Sequence, residues 1–189
     1  MYPVMVKVRR ALVVAGRSRR VVEIWRRPID RDPLRGVVLD VARDLALLHR
    51  LSDAIHLDGY AALRIGDVSL VDARPRYGAF YDRALALRRE NPRLPKGIDL
   101  NGMDLAIASA GRLFPLVTIH RELISPDTCS IGKVHIVTEK SVMLRWLNPS
   151  AKWNGTSPRY RLADITLLEF GGEYEDALAH VAGLRRPAI

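Results

Sequence analysis

Histidine and cysteine are the residue types through which this chain could perform catalytic or metal chemistry. It holds five histidines and one cysteine, namely His49, His56, His120, His135, His180 and Cys129. None of the histidines stands in the HxH, HExxH or paired-CxxC spacing that brings ligands to one metal ion. Cys129 with His120 or His135 has the residue types of a nucleophile and a base, but no nucleophile elbow or orienting partner accompanies them. The sequence therefore predicts no enzyme activity, no metal and no cofactor.

Arginine gives the chain a second kind of chemistry, the attraction of polyanions. The net charge is +9, and residues 1–35 hold ten basic against three acidic side chains. Such a cluster raises the local concentration of RNA or DNA. The candidate polyanion-binding residues are Arg9, Arg10, Arg17, Arg19, Arg20, Arg26 and Arg27. An alternative stays open, because only five of the thirty basic residues are Lys. Arginine from a GC-rich codon bias would decorate ordinary surfaces in the same way.

Three tryptophans are the candidate contact aromatics. Trp25, Trp146 and Trp153 lie on strand-like or loop-like segments. A tryptophan exposed beside Arg26 and Arg27 would suit base stacking or a protein contact. The alternative is that each tryptophan fills the seam between a small barrel and a helix.

These candidate residues are distributed over an internal repeat. AGRSRRVVEIWR (15–26) is matched by AGRLFPLVTIHR (110–121), and GVVLDVARDLALLHRL (36–51) by GKVHIVTEKSVMLRWL (132–147). RIGDVSLVD (64–72) is matched by RLADITLLE (161–169), and YDRALA (81–86) by YEDALA (174–179). The blocks follow one another in the same order, at offsets of 95, 96, 97 and 93 residues. Four collinear blocks predict a duplicated unit.

Each half of the chain has the pattern of a helix, about five short strands and a closing helix. DLNGMDLAIASAG (99–111) has helical spacing and places Gly111 at a C-cap, whereas the matching VMVKVRRALVVAG allows helix or strand. Tight turns are expected at Arg43-Asp44 and at Glu139-Lys140, between strand-like runs. The closing helices carry apolar positions at 80, 84, 85 and 87 and at 174, 177, 178 and 181.

The fold class predicted is mainly β with flanking helices, as two duplicated small antiparallel barrels. Closing five short bent strands into a barrel removes their exposed edges. We expect a first repeat at 1–90, a Pro- and Gly-containing linker at 91–98 and a second repeat at 99–189.

The halves resemble the Sm-like and broader SH3-like small barrels. Gly36 and Gly132 sit where the glycine of the first Sm motif would, and Arg64-Ile65-Gly66 echoes the second motif. Sm-like RNA sites read a base with an Asp and an Asn in the first hairpin, and neither VARDLAL nor VTEKSVM contains Asn. The chain also resembles uncharacterised bacterial proteins with tandem barrels of this kind, a resemblance that implies no established activity.

These patterns predict a cytoplasmic binding module, with RNA or a ribonucleoprotein as the first candidate partner and protein scaffolding as the alternative. The N-terminus has no export signal, no run of the sequence is long enough to span a bilayer, and a single cysteine excludes an internal disulfide. We expect no membrane partner. A monomer or a two-fold homodimer is expected, with the dimer formed through the second half.

Overall fold

The computed structural model describes residues 3–185 and divides the chain into two compact units, one up to Pro95 and one from Lys96. Both units are mixed α and β. The elements of unit 1 are α1 (Pro3–Ser18), β1 (Val21–Trp25), β2 (Leu34–Val41), β3 (Leu45–Leu51), β4 (Leu57–Arg64), β5 (Leu70–Asp72) and α2 (Gly78–Leu87). Those of unit 2 are α3 (Met103–Leu113), β6 (Val117–His120), β7 (Cys129–Val137), β8 (Ser141–Trp146), β9 (Arg159–Arg161), β10 (Leu167–Phe170) and α4 (Glu173–Val181).

The N-terminal segment is a helix, which decides between the two structures that its sequence allows. Val8, Leu12 and Ala15 recur at helical spacing and are buried, so one face of α1 lies against β2 and β5. The helix ends at Ser18, whose hydroxyl donates to the Ala15 carbonyl at 2.8 Å. Arg19 follows with φ 55°, the left-handed conformation that commonly terminates a helix.

Five antiparallel strands form the sheet of each unit, in the order β5-β1-β2-β3-β4 in unit 1 and β10-β6-β7-β8-β9 in unit 2. The hairpins turn where the sequence predicts, between Val41 and Leu45 and between Val137 and Ser141. The pairing shifts register between Val38 and Asp40 in the first sheet, and between Val134 and Ile136 in the second. A 3-10 turn separates the fourth strand from the fifth in both units.

The sheets are open, so the expected closure into barrels is not found. In the described residues no pairing joins β5 to β4, or β10 to β9. Instead, the three-residue β5 pairs with β1, and the four-residue β10 pairs with β6. The chain leaves the fourth strand through the 3-10 turn, which breaks the extended run that closure would require.

Helices cover both faces of the first sheet. Gly16 of α1 lies over Val38, whereas Leu85 of α2 joins a buried cluster with Val21, Val37 and Leu51. Since neighbouring strand residues point to opposite faces, Val37 and Val38 direct the two helices to opposite sides. In unit 2, Leu178 and Ala179 of α4 form the matching cluster with Leu116, Ile131 and Leu147.

The apolar stripes predicted for the closing helices are only partly buried. Leu85 and Leu178 are buried. Phe80 and Leu87 in α2 and Tyr174 and Val181 in α4 are exposed instead. None of the helices in residues 3–185 combines the length and the apolar character needed to cross a bilayer.

Candidate nucleic-acid interface

Of the seven arginines predicted to bind polyanions, one is buried and five are exposed. On α1, Arg10 and Arg17 are exposed, and the Arg9 guanidinium donates to the Arg43 carbonyl at 3.1 Å. Arg19 and Arg20 are exposed in the connection from α1 to β1.

Arg26 is an interior residue, 1% exposed, with its guanidinium 3.4 Å from the Asp30 carboxylate. Val22, Ile24 and Arg26 stand at every second position of the sequence, and all three are buried. Burial of Arg26 removes it from any polyanion-binding surface. The period-2 alternation of VVEIWR carried the signal for this position.

The tryptophans are half-buried, and two of them are covered by arginine. The Arg27 guanidinium lies 4.5 Å from the centre of the Trp25 ring, and that of Arg145 lies 4.5 Å from the Trp153 ring. Trp153 also packs against the α4 cluster, and Trp146 pairs with Gly132 across the β7–β8 ladder. Trp153 therefore packs where α4 meets the sheet of unit 2.

Three neighbouring clefts on unit 1, which share lining residues, bring other arginines together. The first, of about 200 Å³, is lined by Arg20, Arg74 and Arg76 beside the start of α2. The second, of about 280 Å³, shares Arg20 and Asp82 with the first and adds Arg19. The third, of about 360 Å³, shares Glu90 and Asn91 with the second. We call this run of clefts the arginine groove, and its cations are Arg19, Arg20, Arg74, Arg76, Arg89 and Arg93.

The balance of charge in the arginine groove is strongly positive. All six arginines are exposed, and two acidic residues, Asp82 and Glu90, lie among the lining residues. The Asp82 carboxylate accepts the Val21 N–H at 3.0 Å, and the Glu90 carboxylate accepts the Leu57 N–H at 2.5 Å. Both carboxylates therefore help to hold the fold of unit 1 together. Asp82 also lies 3.9 Å from the Arg20 guanidinium, and the Arg19 guanidinium donates to the Pro92 carbonyl at 2.8 Å.

One end of the arginine groove carries a neutral aromatic pair. The His49 ring stacks on Tyr60 with 4.6 Å between the ring centres. Burial lowers the pKa of His49 to about 4, although the charges of Glu90 and Asp58 act in the opposite direction. His49 is therefore uncharged at neutral pH and adds nothing to the positive charge of the groove.

An exposed aromatic cluster on α2 adjoins the arginine groove through Arg76. Its members are Tyr77, Phe80 and Tyr81, and the Arg76 guanidinium lies 5.3 Å from the centre of the Tyr77 ring. Tyr77 and Phe80 are 53% and 56% exposed. Sequence reasoning missed this cluster because Phe80 fitted a helical apolar stripe. The signal was the neighbouring stretch Arg74-Pro75-Arg76-Tyr77, where two arginines immediately precede the aromatic residues.

In unit 2 the cysteine and one histidine do meet, on neighbouring strands. Cys129 pairs with His120 across β6 and β7, and the Glu169 carboxylate accepts a hydrogen bond from the His120 Nε2–H at 2.7 Å. Glu169 is the orienting partner that the sequence did not reveal. Partial burial, followed by the charges of Glu169 and Glu175, raises the pKa of the Cys129 thiol. Cys129 is exposed, and a raised pKa leaves less of its reactive thiolate at neutral pH.

No three His, Cys, Asp or Glu side chains come together as metal ligands within residues 3–185. Comparisons with protein-family models, with curated proteins and with solved structures find no match to this chain.

Proposed function

We propose that this protein is a non-enzymatic module that binds nucleic acid, with RNA or a ribonucleoprotein as its first candidate partner, along the arginine groove of unit 1. The observation that carries the proposal is that three neighbouring clefts share the lining residues Arg20, Asp82, Glu90 and Asn91 and together present six exposed arginines. A row of positive clefts would follow the phosphate backbone of a strand, whereas scattered surface arginines would not.

The electrostatics of unit 1 support the same proposal. Residues 1–95 hold nineteen basic and eleven acidic side chains, against eleven and ten in residues 96–189. Exposed arginines outside the groove, such as Arg10 and Arg17, would strengthen the long-range attraction of a polyanion without touching it. We place this activity in the cytoplasm, in keeping with the single cysteine.

We also infer that the two units are copies of one SH3/Sm-like unit in an open form. Their elements follow the same order, and the register shifts at Val38 and Val134 lie at the spacing of the second repeated block. Gly36 and Gly132 each lie against the backbone of the next strand, where a side chain would collide with the carbonyl of His49 or Arg145. A glycine at this point lets the second strand bend sharply.

Salt dependence is the direct test of a phosphate-binding groove. Binding of a fluorescent single-stranded RNA of twelve nucleotides to the full chain would be followed by anisotropy at several salt concentrations. If all six arginines contact phosphates, the logarithm of the affinity should fall with that of the salt concentration with a slope of about −4. Replacing Arg20, Arg74 and Arg76 with Gln should reduce the slope by about 2 and weaken binding.

A matched variant separates the groove from net charge. Arg43, Arg112 and Arg161 are exposed and do not line the groove, so their replacement with Gln makes the same change in charge. This control should keep most of the affinity. Equal losses in the two variants, or binding that salt hardly changes, would contradict the groove and favour the protein-scaffold alternative.

A further inference from the structure

We propose that the aromatic cluster of α2 stacks the bases of a single strand whose backbone lies in the arginine groove. This inference rests on the proposed function and adds to it the class of ligand, namely single-stranded nucleic acid. The groove alone would accept any polyanion of suitable shape, because phosphate contacts carry no information about bases.

The position of Arg76 links the two surfaces. Its side chain lines the first cleft and also lies over the Tyr77 ring at 5.3 Å. A phosphate held by Arg76 therefore brings the base of the same or the next nucleotide beside Tyr77. Arg83, exposed one turn after Phe80 on α2, adds a cation at the far side of the aromatic cluster.

The aromatic cluster is anchored to the core of unit 1 through one of its three rings. Tyr81 is half-buried and packs against the cluster of Val21, Val37, Leu51 and Leu85. The Tyr77 and Phe80 rings contact it with centres 6.4 and 5.8 Å away. Because two exposed rings are braced against a half-buried third, they lose little conformational entropy when a base stacks on either of them.

The combination of flat apolar rings and cations selects the ligand. Each nucleotide of a single strand offers a flat base and a negative charge, which match a ring and a guanidinium. The bases of a duplex are already stacked on one another and are not available to these rings. RNA and DNA strands share the required chemistry, since neither a ring face nor a guanidinium needs the 2′-hydroxyl.

The test compares strands with and without bases on the full-length protein. The probes are a twelve-nucleotide single strand as RNA and as DNA, an abasic strand with the same backbone, and a duplex. The wild type should bind the base-containing strand at least about tenfold more tightly than the abasic strand or the duplex. Base-dependent binding of either strand supports the inference, and a preference between RNA and DNA identifies the natural source.

Three variants locate the effect. Combining Tyr77→Ala with Phe80→Ala should reduce affinity for the base-containing strand to that for the abasic strand and leave abasic binding unchanged. Tyr77→Phe keeps the ring and should bind as the wild type does. Leu87→Ala changes an apolar residue of α2 that is 75% exposed and lies outside the aromatic cluster, so it should also have no effect.

The outcomes separate this inference from the proposed function. Three results would overturn base stacking while leaving the groove intact. They are equal affinity of the wild type for base-containing and abasic strands, normal binding by the alanine double variant, and tight binding of the duplex. A protein that binds neither strand in a salt-dependent way overturns the proposed function, and base stacking with it.

Discussion

Gly111 of α3 lies so close to Val134 of β7 that a Cβ atom added to the glycine would be 2.6 Å from the Val134 Cβ. Gly111 is therefore an interior residue of the helix, which continues to Leu113, and its role is close packing of helix on sheet rather than the expected C-cap. In unit 1 the corresponding pair is looser, since a Cβ on Gly16 would be 3.6 Å from the nearest atom of Val38.

This difference predicts opposite effects of one substitution at two matched positions. Gly111→Ala should destabilise the protein by about 1–3 kcal/mol through overpacking. Gly16→Ala has room for its methyl group and should stabilise α1 by up to about 1 kcal/mol. Urea unfolding of both variants measures the difference. A Gly111→Ala protein as stable as the wild type would contradict the packing described.

The bend of β2 leads to a second prediction. A Cβ on Gly36 would collide with the His49 carbonyl oxygen, and backbone atoms of a paired strand cannot move away cheaply. Gly36→Ala should therefore cost more than about 2 kcal/mol of unfolding free energy. Gly66 has no atom within 4 Å of its added Cβ, so Gly66→Ala should change stability by less than about 0.5 kcal/mol. If thermal unfolding shows that the two variants are equally stable, the prediction is contradicted.

The local pattern of polar and apolar residues in the sequence predicts the hairpins of the fold. The hairpin turns at Arg43-Asp44 and Glu139-Lys140 follow from polar pairs between apolar runs of strand length, and the structure confirms them. Strand closure could not be predicted in this way, because it depends on which distant strand pairs with β5. The structure pairs β5 with β1, whose residues lie more than 40 positions earlier in the chain, and such a distant pairing leaves no local periodic signal.

The candidate site was less predictable than the fold. Arg19 and Arg20 belong to the basic N-terminal segment, whereas the other cations of the groove come from residues 74–93. That stretch holds six arginines and two acidic residues, but sequence reasoning did not single it out. Only the packing of α2 against β1 brings them beside Arg20. The α2 sequence is apolar at Phe80 and Leu87 as well as at Leu85, so its period could not tell the exposed face from the buried one.

The low pKa of His49 predicts a loss of stability in acid. Its pKa is about 4 in the folded protein against an ordinary value of 6.5, so below about pH 6.5 the unfolded chain binds a proton that the folded chain does not. The contribution of His49 is therefore present above pH 6.5 and is lost as the pH falls towards 4. His49→Phe keeps a ring on Tyr60 without a titrating group. Its unfolding free energy should fall less between pH 7 and 5 than that of the wild type, and parallel pH profiles would contradict this.

The raised pKa of Cys129 predicts that its thiol is alkylated slowly. Alkylation by iodoacetamide at pH 7.5 should be slower in the folded protein than in the urea-unfolded chain, because the folded protein has less thiolate. Glu169→Gln removes a nearby negative charge and should speed the reaction. Glu139→Gln, at an exposed hairpin position, serves as the control and should not. Faster alkylation of the folded wild type would show that the thiol is activated.

Photochemical cross-linking tests the central claim most directly, because it identifies the residues that touch the strand. A twelve-nucleotide single-stranded RNA carrying 4-thiouridine would be cross-linked to the full-length protein, and the attached peptides identified by mass spectrometry. The account predicts cross-links within residues 74–93 and at Arg19 or Arg20, with Tyr77 and Phe80 among the modified residues. Cross-links confined to residues 96–189, or none beyond those formed in high salt, would contradict it.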